Sequence, residues 1–278
     1  MSQPPCGWLT PSRYRHQGGV ITLFLIGSGR MGGAFARAWK PSHKVVTLRR
    51  PSALELGIDL IDTPSDLRHV EDLVVVLAVK PQVFPQIVDT LDMVASRDPL
   101  ILSVVSGISL ATISQAAGGS ARIARLMSNT PASIGKGITA VFAGEDVSVS
   151  DKLRIETLLA PLGDHLWVAS EDDMHAVTAI SGSGPAYYFR MTEALIEAAR
   201  DLGLPKEMAV KLARATLVGA AALVDASSTD LAELRDQVTS PGGTTAAALA
   251  EMNKGGAIDA LVKRAAERAA WRSRELAG

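Results

Sequence analysis

The chain has little of several features that would each indicate a class of protein. Its single cysteine, Cys6, excludes an internal disulfide, which fits a reducing compartment, so we expect a cytoplasmic protein. The 28 Lys and Arg residues offset the 29 Asp and Glu residues without forming a basic block, which argues against nucleic acid or an anionic membrane surface as a partner. No run of about 18 apolar residues occurs, so the sequence predicts no transmembrane helix.

Aromatic residues are also few, at 4%, and the hydrophobic 47% of the chain consists mostly of Ala, Val, Leu and Ile. In the first part of the chain, short apolar runs alternate with helical patterns. The predicted strands are residues 20–26, 45–48, 73–79, 100–105, 123–127 and 138–142, and the predicted helices between them include residues 33–39, 83–94 and 110–117. This order predicts an α/β fold with a doubly wound parallel sheet and right-handed crossovers.

After about residue 168 the pattern is helical only. Helices are predicted at residues 185–202, 206–226, 231–238, 245–253 and 258–276. The change of pattern predicts a domain boundary that separates an α/β domain, residues 20–168, from an all-helical domain, residues 169–278. Residues 1–19 contain no apolar core of signal-peptide length, and we expect them to form a disordered extension.

A G-x-G-x-x-G motif at residues 27–32 lies directly after the first predicted strand and before the first predicted helix. In that setting the first glycine permits a tight turn, the second lets the backbone approach a pyrophosphate, and the third allows the helix to pack closely on the strand. The motif therefore predicts a dinucleotide site in a Rossmann-type domain, although a glycine-rich turn that binds nothing is the alternative. The candidate residues are Gly27, Ser28, Gly29, Arg30, Met31 and Gly32.

The end of the second predicted strand bears on the type of dinucleotide. An NAD-preferring site would place Asp or Glu here to bind the ribose 2′-hydroxyl. This chain has Arg49 and Arg50 instead, and guanidinium groups favour a 2′-phosphate through charge-assisted hydrogen bonds. The pair predicts NADPH rather than NADH, and the alternative is a solvated loop with incidental charge.

Two later strand ends provide further candidates for cofactor contacts, because doubly wound sheets bind ligands at the carboxyl ends of their strands. The backbone after residues 73–79 is predicted to line the nicotinamide side, whereas Lys80 has the alternative of an ordinary strand-end charge. Asn129 follows another strand and faces the same choice. The candidates at these two ends are Ala78, Val79, Lys80, Pro81 and Asn129.

Residues 238–245 break the helical pattern with one proline and two glycines, and an Ala- and Leu-rich helix follows. This order predicts a tight loop that leads into a helix N-terminus, where unpaired N–H groups and the helix dipole favour a small anion such as a carboxylate. The alternative is an ordinary helix start with a threonine as its N-cap. The candidate residues for the anion site are Ser240, Gly242, Gly243, Thr244 and Thr245.

Five motifs occur in the order and spacing of the pyrroline-5-carboxylate reductase family, which the chain resembles over about residues 20–278. The glycine motif is generic, whereas the last two motifs together are specific to this family. The motifs are residues 27–32, 78–82, 127–131, 181–186 and 238–245. The resemblance implies NADPH-dependent reduction of the cyclic imine 1-pyrroline-5-carboxylate to L-proline, the last step of proline biosynthesis, with NADH as a weaker alternative donor.

The resemblance also implies an assembly. Two helical domains interlock into a homodimer, larger rings of dimers occur in the family, and each active site lies between the Rossmann domain of one chain and the helical domain of its partner. By motif position, residues 240–245 hold the substrate carboxylate, and Thr245, the one catalytic candidate, also reaches the ring nitrogen. Asn129 and residues 79–81 lie on the cofactor. Ser128 departs from the family pattern, which usually has proline here, and we expect a looser loop because serine frees φ.

The implied chemistry requires little from side chains. The cofactor supplies the hydride and the protein positions two ligands, so no metal is expected. His165 and His175 are the acid–base candidates, but lone histidines are more often structural, and a structural role is the expectation for both. Residues 171–173 are interpreted as a solvated helix start.

Two other functions fit part of the sequence. A reductase of the same two-domain plan that acts on a β-hydroxy acid would place a lysine on the long interdomain helix, and residues 171–204 contain none. A non-catalytic NADP-binding or scaffolding protein would keep the fold, but the intact motifs at residues 27–32 and 240–245 argue against it.

Overall fold

The computed structural model describes residues 20–119 and 121–277. These residues divide into two compact units, one with residues 20–185 and 266–277 and the other with residues 186–265. The predicted extension, residues 1–19, lies outside the described residues. The predicted domain boundary near residue 168 marks a change of secondary structure, whereas residues 171–185 are helical and yet belong to the unit that contains the sheet. The domain boundary near residue 168 therefore stays a prediction.

The sheet has eight strands, and six of them form the predicted doubly wound parallel arrangement. The strands are β1 Thr22–Ile26, β2 Lys44–Leu48, β3 Asp59–Ile61, β4 Leu73–Leu77, β5 Leu100–Ser103, β6 Arg122–Met127, β7 Gly137–Ala143 and β8 Gly163–Trp167. They lie in the order β3-β2-β1-β4-β5-β6-β7-β8, and β1 to β6 are parallel. The strand order reverses between β1 and β4, so the carboxyl ends of these strands border the crevice where such sheets bind ligands.

Helices pack on both faces of the sheet. They are α1 Arg30–Trp39, α2 Pro51–Leu54, α3 Val88–Ala95, α4 Leu110–Ala116 and α5 Val149–Leu159. Alternate residues of a strand point to opposite faces, so Leu23 and Leu25 pack with α1 and α5 while Phe24 and Ile26 pack with α3 and α4. Burial on both sides explains why these strands are continuous apolar runs in the sequence.

The predicted helix at residues 83–94 is shorter than expected. Residues Pro81–Ile87 form 3₁₀ turns, and α3 begins only at Val88. Pro85 lies inside the 3₁₀ segment, and a proline cannot donate the backbone hydrogen bond of an α-helix, so the α-helical geometry starts after it.

Strand β7 runs antiparallel to β6, whereas a doubly wound parallel sheet would have the two parallel. Only residues 128–136 join the two strands, and a parallel connection takes about a dozen residues or more, so the chain reverses direction instead. Helix α5 then provides a crossover to β8, which lies parallel to β7. The predicted doubly wound parallel arrangement is therefore confirmed for β1 to β6, and the predicted parallel direction of β7 is corrected.

The rest of the chain is helical, as predicted. Its segments are α6 Asp173–Val177, a π-helical segment Thr178–Gly182, α7 Gly184–Asp201, α8 Lys206–Asp225, α9 Leu231–Gln237, α10 Thr244–Asn253 and α11 Ala257–Glu275. No described helix combines the length and the apolar composition that a membrane span requires.

The unit of residues 186–265 buries few of its large apolar side chains within one chain. Tyr188 and Phe189 on α7 are 66% and 58% exposed, and Val218 and Leu223 on α8 are 68% and 60% exposed. Exposed apolar surface of this kind is found at protein–protein interfaces, membrane contact sites and ligand grooves.

Candidate active site

The loop after β1 requires glycine at two of its three motif positions. Gly27 has φ of +113°, and a Cβ on it would lie 2.5 Å from the carbonyl oxygen of Ala78 on the neighbouring strand. A Cβ on Gly32, in the first turn of α1, would collide with the carbonyl oxygen of Gly27. Both glycines therefore permit the tight turn and the close packing of α1 that the motif predicts.

Gly29 has a different reason to be glycine. It is the N-cap of α1 with φ of −72°, and nothing lies within 4 Å of where its Cβ would be. No side chain of the described residues caps α1, and its first turn contains no acidic residue. The N-terminus of this ten-residue helix thus has no side-chain cap, and open space adjoins its N-cap residue, an arrangement suited to phosphate.

A cleft of about 250 Å³ lies beside this turn, at the carboxyl ends of β1 and β4. The predicted residues that line it are Gly27, Ser28, Gly29, Arg50, Ala78, Val79 and Lys80. It is also lined by residues that sequence reasoning did not select, namely Ile26, Thr47, Leu48, Val83 and Ile87. Four of these five residues are apolar, and in the sequence they cannot be distinguished from residues of the hydrophobic core. Thr47 is buried, and its hydroxyl donates a hydrogen bond to the carbonyl of Leu25 at 2.7 Å.

The two predicted phosphate-binding arginines differ in position. Arg50 precedes α2 as its N-cap and lines the cleft. Arg49 is not among the residues that line it, and its Nε donates to Asp62 Oδ1 at 2.8 Å in an exposed ion pair. Arg50 is therefore the better placed of the two guanidinium groups for a ligand in the cleft.

Five other predicted cofactor residues also fall outside the lining of this cleft, namely Arg30, Met31, Gly32, Pro81 and Asn129. Arg30 and Met31 belong to the first turn of α1, and Pro81 begins the 3₁₀ segment after Lys80. Asn129 is buried in the loop after β6, where its Oδ1 accepts a hydrogen bond from the backbone N–H of Ile138 at 3.1 Å.

Ser128 has a specific partner in the same loop. Its hydroxyl oxygen accepts a hydrogen bond from Thr139 Oγ1 at 2.9 Å, and both residues are buried. Thr139 lies on β7, so the bond joins the two ends of the β6–β7 connection. A proline at position 128 could not make it. This bond restrains the loop and opposes the loosening that the sequence comparison led us to expect.

The loop of residues 238–245 leads into a helix N-terminus, as predicted. Gly242 has φ of +70°, the N–H of Gly243 donates to the carbonyl of Ser240 at 3.0 Å, and α10 begins at Thr244. The N-cap is Gly243 rather than a threonine, so the alternative of an ordinary threonine cap does not describe this helix. Its first turn contains no acid, and among the described residues no side chain caps it.

The two histidines have structural partners. His175 Nδ1 lies 2.9 Å from Ser273 Oγ near the end of α11, and His165 on β8 lies 3.7 Å from Glu156. Glu171 is not a simple solvated residue. Its Oε1 accepts from the backbone N–H of Leu110 at 2.7 Å and from Arg125 Nη1 at 2.6 Å.

The described residues hold no group of three or more His, Cys, Asp and Glu side chains that could bind a metal. The strand order, the glycine turn and the cleft define the class of the first unit as a Rossmann-type dinucleotide-binding domain. Residues 22–107 match the family described as NADP oxidoreductase, coenzyme F420-dependent, and residues 171–276 match the family described as pyrroline-5-carboxylate reductase dimerisation.

Relatives and solved structures cover nearly the whole chain. The pyrroline-5-carboxylate reductase of Pisum sativum is 36% identical over 92% of this chain and 96% of its own length, and that of Pseudomonas aeruginosa is 37% identical over 93% and 94%. The structure of a Coxiella burnetii pyrroline-5-carboxylate reductase has a TM-score of 0.84 and 32% identity, over 93% of this chain and 99% of that one. The chain belongs to the pyrroline-5-carboxylate reductase family.

Proposed function

We propose that this protein reduces the cyclic imine 1-pyrroline-5-carboxylate to L-proline with NADPH, in the cytoplasm, as the last step of proline biosynthesis. The observation that carries the proposal is that the chain matches named pyrroline-5-carboxylate reductases at 36–37% identity over more than 90% of both lengths. The cleft and the α10 loop supply the two kinds of binding site that this reaction needs.

The cleft fits a dinucleotide phosphate. Its open space at Gly29, the uncapped N-terminus of α1 and the guanidinium of Arg50 are all suited to phosphate groups. A solved Plasmodium falciparum relative, 26% identical with a TM-score of 0.77, has NADP bound. In our proposal residues 27–32 hold the pyrophosphate, and Arg50, with Arg49 nearby, holds the 2′-phosphate. Residues 78–81 and Asn129 border the nicotinamide. When bound, NADPH supplies the hydride.

The loop before α10 holds the substrate in this proposal. The substrate carboxylate accepts hydrogen bonds from the N–H groups of Gly242 and Thr244 and from the hydroxyl of Ser240, at a helix end of favourable dipole. Gly243 shapes this loop through its own bond to the Ser240 carbonyl. The hydroxyl of Thr245, one position into the helix, hydrogen-bonds the ring nitrogen. The protein then acts mainly by orientation, which contributes up to roughly 7–11 kcal/mol in favourable cases.

The proposed working form is a homodimer. The dimerisation family matches residues 171–276, and the exposed apolar side chains of α7 and α8 provide a surface for a second copy. In this arrangement the α10 loop of one chain serves the cofactor cleft of its partner.

NADPH oxidation with 1-pyrroline-5-carboxylate tests the activity. Thr245→Ala is expected to lower kcat/KM about tenfold to a hundredfold, because a hydrogen bond to a charged or reacting group is lost, and Thr245→Ser retains the hydroxyl and should keep most activity. A wild-type protein that binds NADPH but shows no turnover would overturn the proposal. Equal loss in both variants would remove Thr245 from the role we give it.

A mixture of two impaired variants tests the shared site. Thr245→Ala weakens the loop and Gly29→Val fills the cleft, so each homodimer alone should keep at most about a tenth of wild-type activity. If each site combines the cleft of one chain with the loop of the other, mixed dimers contain one intact site, and roughly one quarter of wild-type activity returns on subunit exchange. No recovery in dimers shown to be mixed would refute the shared site.

A further inference from the structure

The helical region of the first unit begins with an irregular turn. Helix α6 passes at Thr178 into a π-helical segment that ends at Gly182, and the N–H of Ser183 donates to the carbonyl of Thr178 at 2.9 Å. This five-residue spacing replaces the four-residue spacing of an α-helix. Such π segments within helices occur often at functional sites. We call residues 178–184 the π turn.

The π turn contains a carbonyl whose helical donor is missing. In an α-helix the carbonyl of Ser181 would accept from the backbone N–H of residue 185. That residue is Pro185, which has no N–H. A partly buried carbonyl that loses its donor must find another, because leaving it unpaired is costly.

The missing donor comes from a side chain distant in sequence. Asn129 Nδ2 donates to the carbonyl of Ser181 at 3.2 Å, while Asn129 Oδ1 accepts from the N–H of Ile138 at 3.1 Å. The Ser181 carbonyl is an acceptor and the Ile138 N–H is a donor, so the two bonds together fix the orientation of the Asn129 amide. Asn129 is 8% exposed, so both bonds are sheltered from water.

The π turn also lies beside the residue that ends β6. A Cβ added to Gly182 would lie 3.7 Å from Met127 Sδ, an ordinary van der Waals distance, so about one methyl group would fill the space between Gly182 and Met127. Met127 ends β6 and Asn129 follows it two residues later. The π turn thus rests on the chain segment that leaves the carboxyl end of a sheet strand, on the side where doubly wound sheets bind ligands.

We infer that Asn129 is a positioning residue. Its amide takes the place of the N–H that Pro185 lacks, and it holds the π turn against the β6–β7 loop. This role is distinct from direct contact with the cofactor, and its effect on turnover rests on the proposed function. Loss of the amide frees the π turn without removing any group from the cleft.

Hydrogen exchange with a double-mutant cycle tests the inference. Asn129→Ala should speed exchange of the Gly182 and Ser183 N–H groups about tenfold or more, the cost of a lost hydrogen bond. Pro185→Ala restores an N–H at position 185, so in that background Asn129→Ala should speed exchange less than about threefold. The lost acceptor for Ile138 is common to both backgrounds and cancels. Equal effects in the two backgrounds would overturn the inference.

Two further variants guard the result. Thr139→Val removes the hydrogen bond to Ser128 in the same loop, which does not involve a residue of the π turn, and should leave exchange at Gly182 and Ser183 unchanged. Acceleration equal to that of Asn129→Ala would overturn the inference. If Asn129→Ala does not fold, Asn129→Asp keeps an acceptor for Ile138 and removes the donor to Ser181, and the same cycle is run with it.

Kinetics separate positioning from a merely structural role. Asn129→Ala should lower kcat about tenfold, and Pro185→Ala should recover part of that loss because it restores an N–H at position 185, whereas loss of a cofactor contact would not be recovered. Exchange that is coupled as expected but kcat that does not change would refute the positioning role. Exchange needs no turnover, so an inactive wild type would refute the proposed function and leave this test intact.

Discussion

Replacement of Gly29 with alanine should weaken NADPH binding and leave the fold intact, whereas the same change at Gly32 should damage the fold. The two glycines lie three residues apart in one motif, but their surroundings differ. A Cβ at Gly29 meets nothing within 4 Å, and its φ of −72° suits alanine. A Cβ at Gly32 collides with the carbonyl oxygen of Gly27, and backbone atoms cannot move aside cheaply.

The magnitudes follow from these distances. A Gly→Ala change at a compatible φ raises the free energy of unfolding by about 0.4–1 kcal/mol, but alanine is a poorer N-cap than glycine by a comparable amount, so Gly29→Ala should lie within about 1 kcal/mol of the wild type. If the pyrophosphate occupies the open space, the added methyl group overpacks it at a cost of about 1–3 kcal/mol, which raises the NADPH Kd about 5-fold to 150-fold. Gly32→Ala should lose about 1–3 kcal/mol of stability or more.

Urea unfolding and fluorescence titration with NADPH measure the two quantities on the same preparations. The prediction requires opposite behaviour: a stable Gly29→Ala that binds poorly and an unstable Gly32→Ala. If Gly29→Ala binds NADPH as the wild type does, the phosphate does not approach at Gly29, and our placement of the dinucleotide is wrong. If Gly29→Ala is as unstable as Gly32→Ala, the open space beside Gly29 does not allow the fold to accept a side chain at position 29.

Three other predictions test separate parts of the sheet unit. Burial lowers the pKa of His43 below its ordinary 6.5, so as the pH falls the unfolded chain binds the proton before the folded chain does, and the free energy of unfolding decreases below about pH 6.5. His43→Asn should therefore make the free energy of unfolding in urea less dependent on pH between about pH 7.5 and 5, and an unchanged dependence would contradict this. Arg50→Glu should raise the NADPH Kd about tenfold or more and Arg49→Glu less than about threefold, because only Arg50 lines the cleft, and equal losses would refute the distinction. Trp39→Phe removes the 2.6 Å hydrogen bond to the Leu158 carbonyl and should cost about 1–3 kcal/mol in thermal or urea unfolding; a loss below about 0.5 kcal/mol would mean that another donor replaces it.

Local patterns were sufficient for the elements and for the order of the motifs. The apolar runs predicted β1, β2 and β4 to β7 to within two residues at each end, because strands that are buried on both faces contain few polar residues. The sequence did not predict β3, which is three residues long, or that Pro85 delays α3 to Val88. Glycine at positions 27 and 32 was predictable because the turn after a strand has few solutions for the backbone.

Contacts between residues that are distant along the chain could not be predicted from the sequence. The direction of β7 depends on where a short connection can go, and the separation of Arg49 from Arg50 depends on Asp62, thirteen positions away from Arg49. Pro185 signals that a donor is missing, but only the folded chain shows that Asn129 supplies it.

The sequence by itself determined the alternation of strands and helices, the glycine turn, the helix start after Gly243 and the family, because each depends on residues that are neighbours along the chain or on the linear order of motifs. The tertiary structure alone decided that Arg50 and not Arg49 lines the cleft, that the Ser128 hydroxyl pairs with Thr139, and that the Asn129 amide donates to Ser181 in the π turn. Hydrogen bonds and ion pairs of this kind join residues that only folding brings together, and no periodicity along the sequence encodes them.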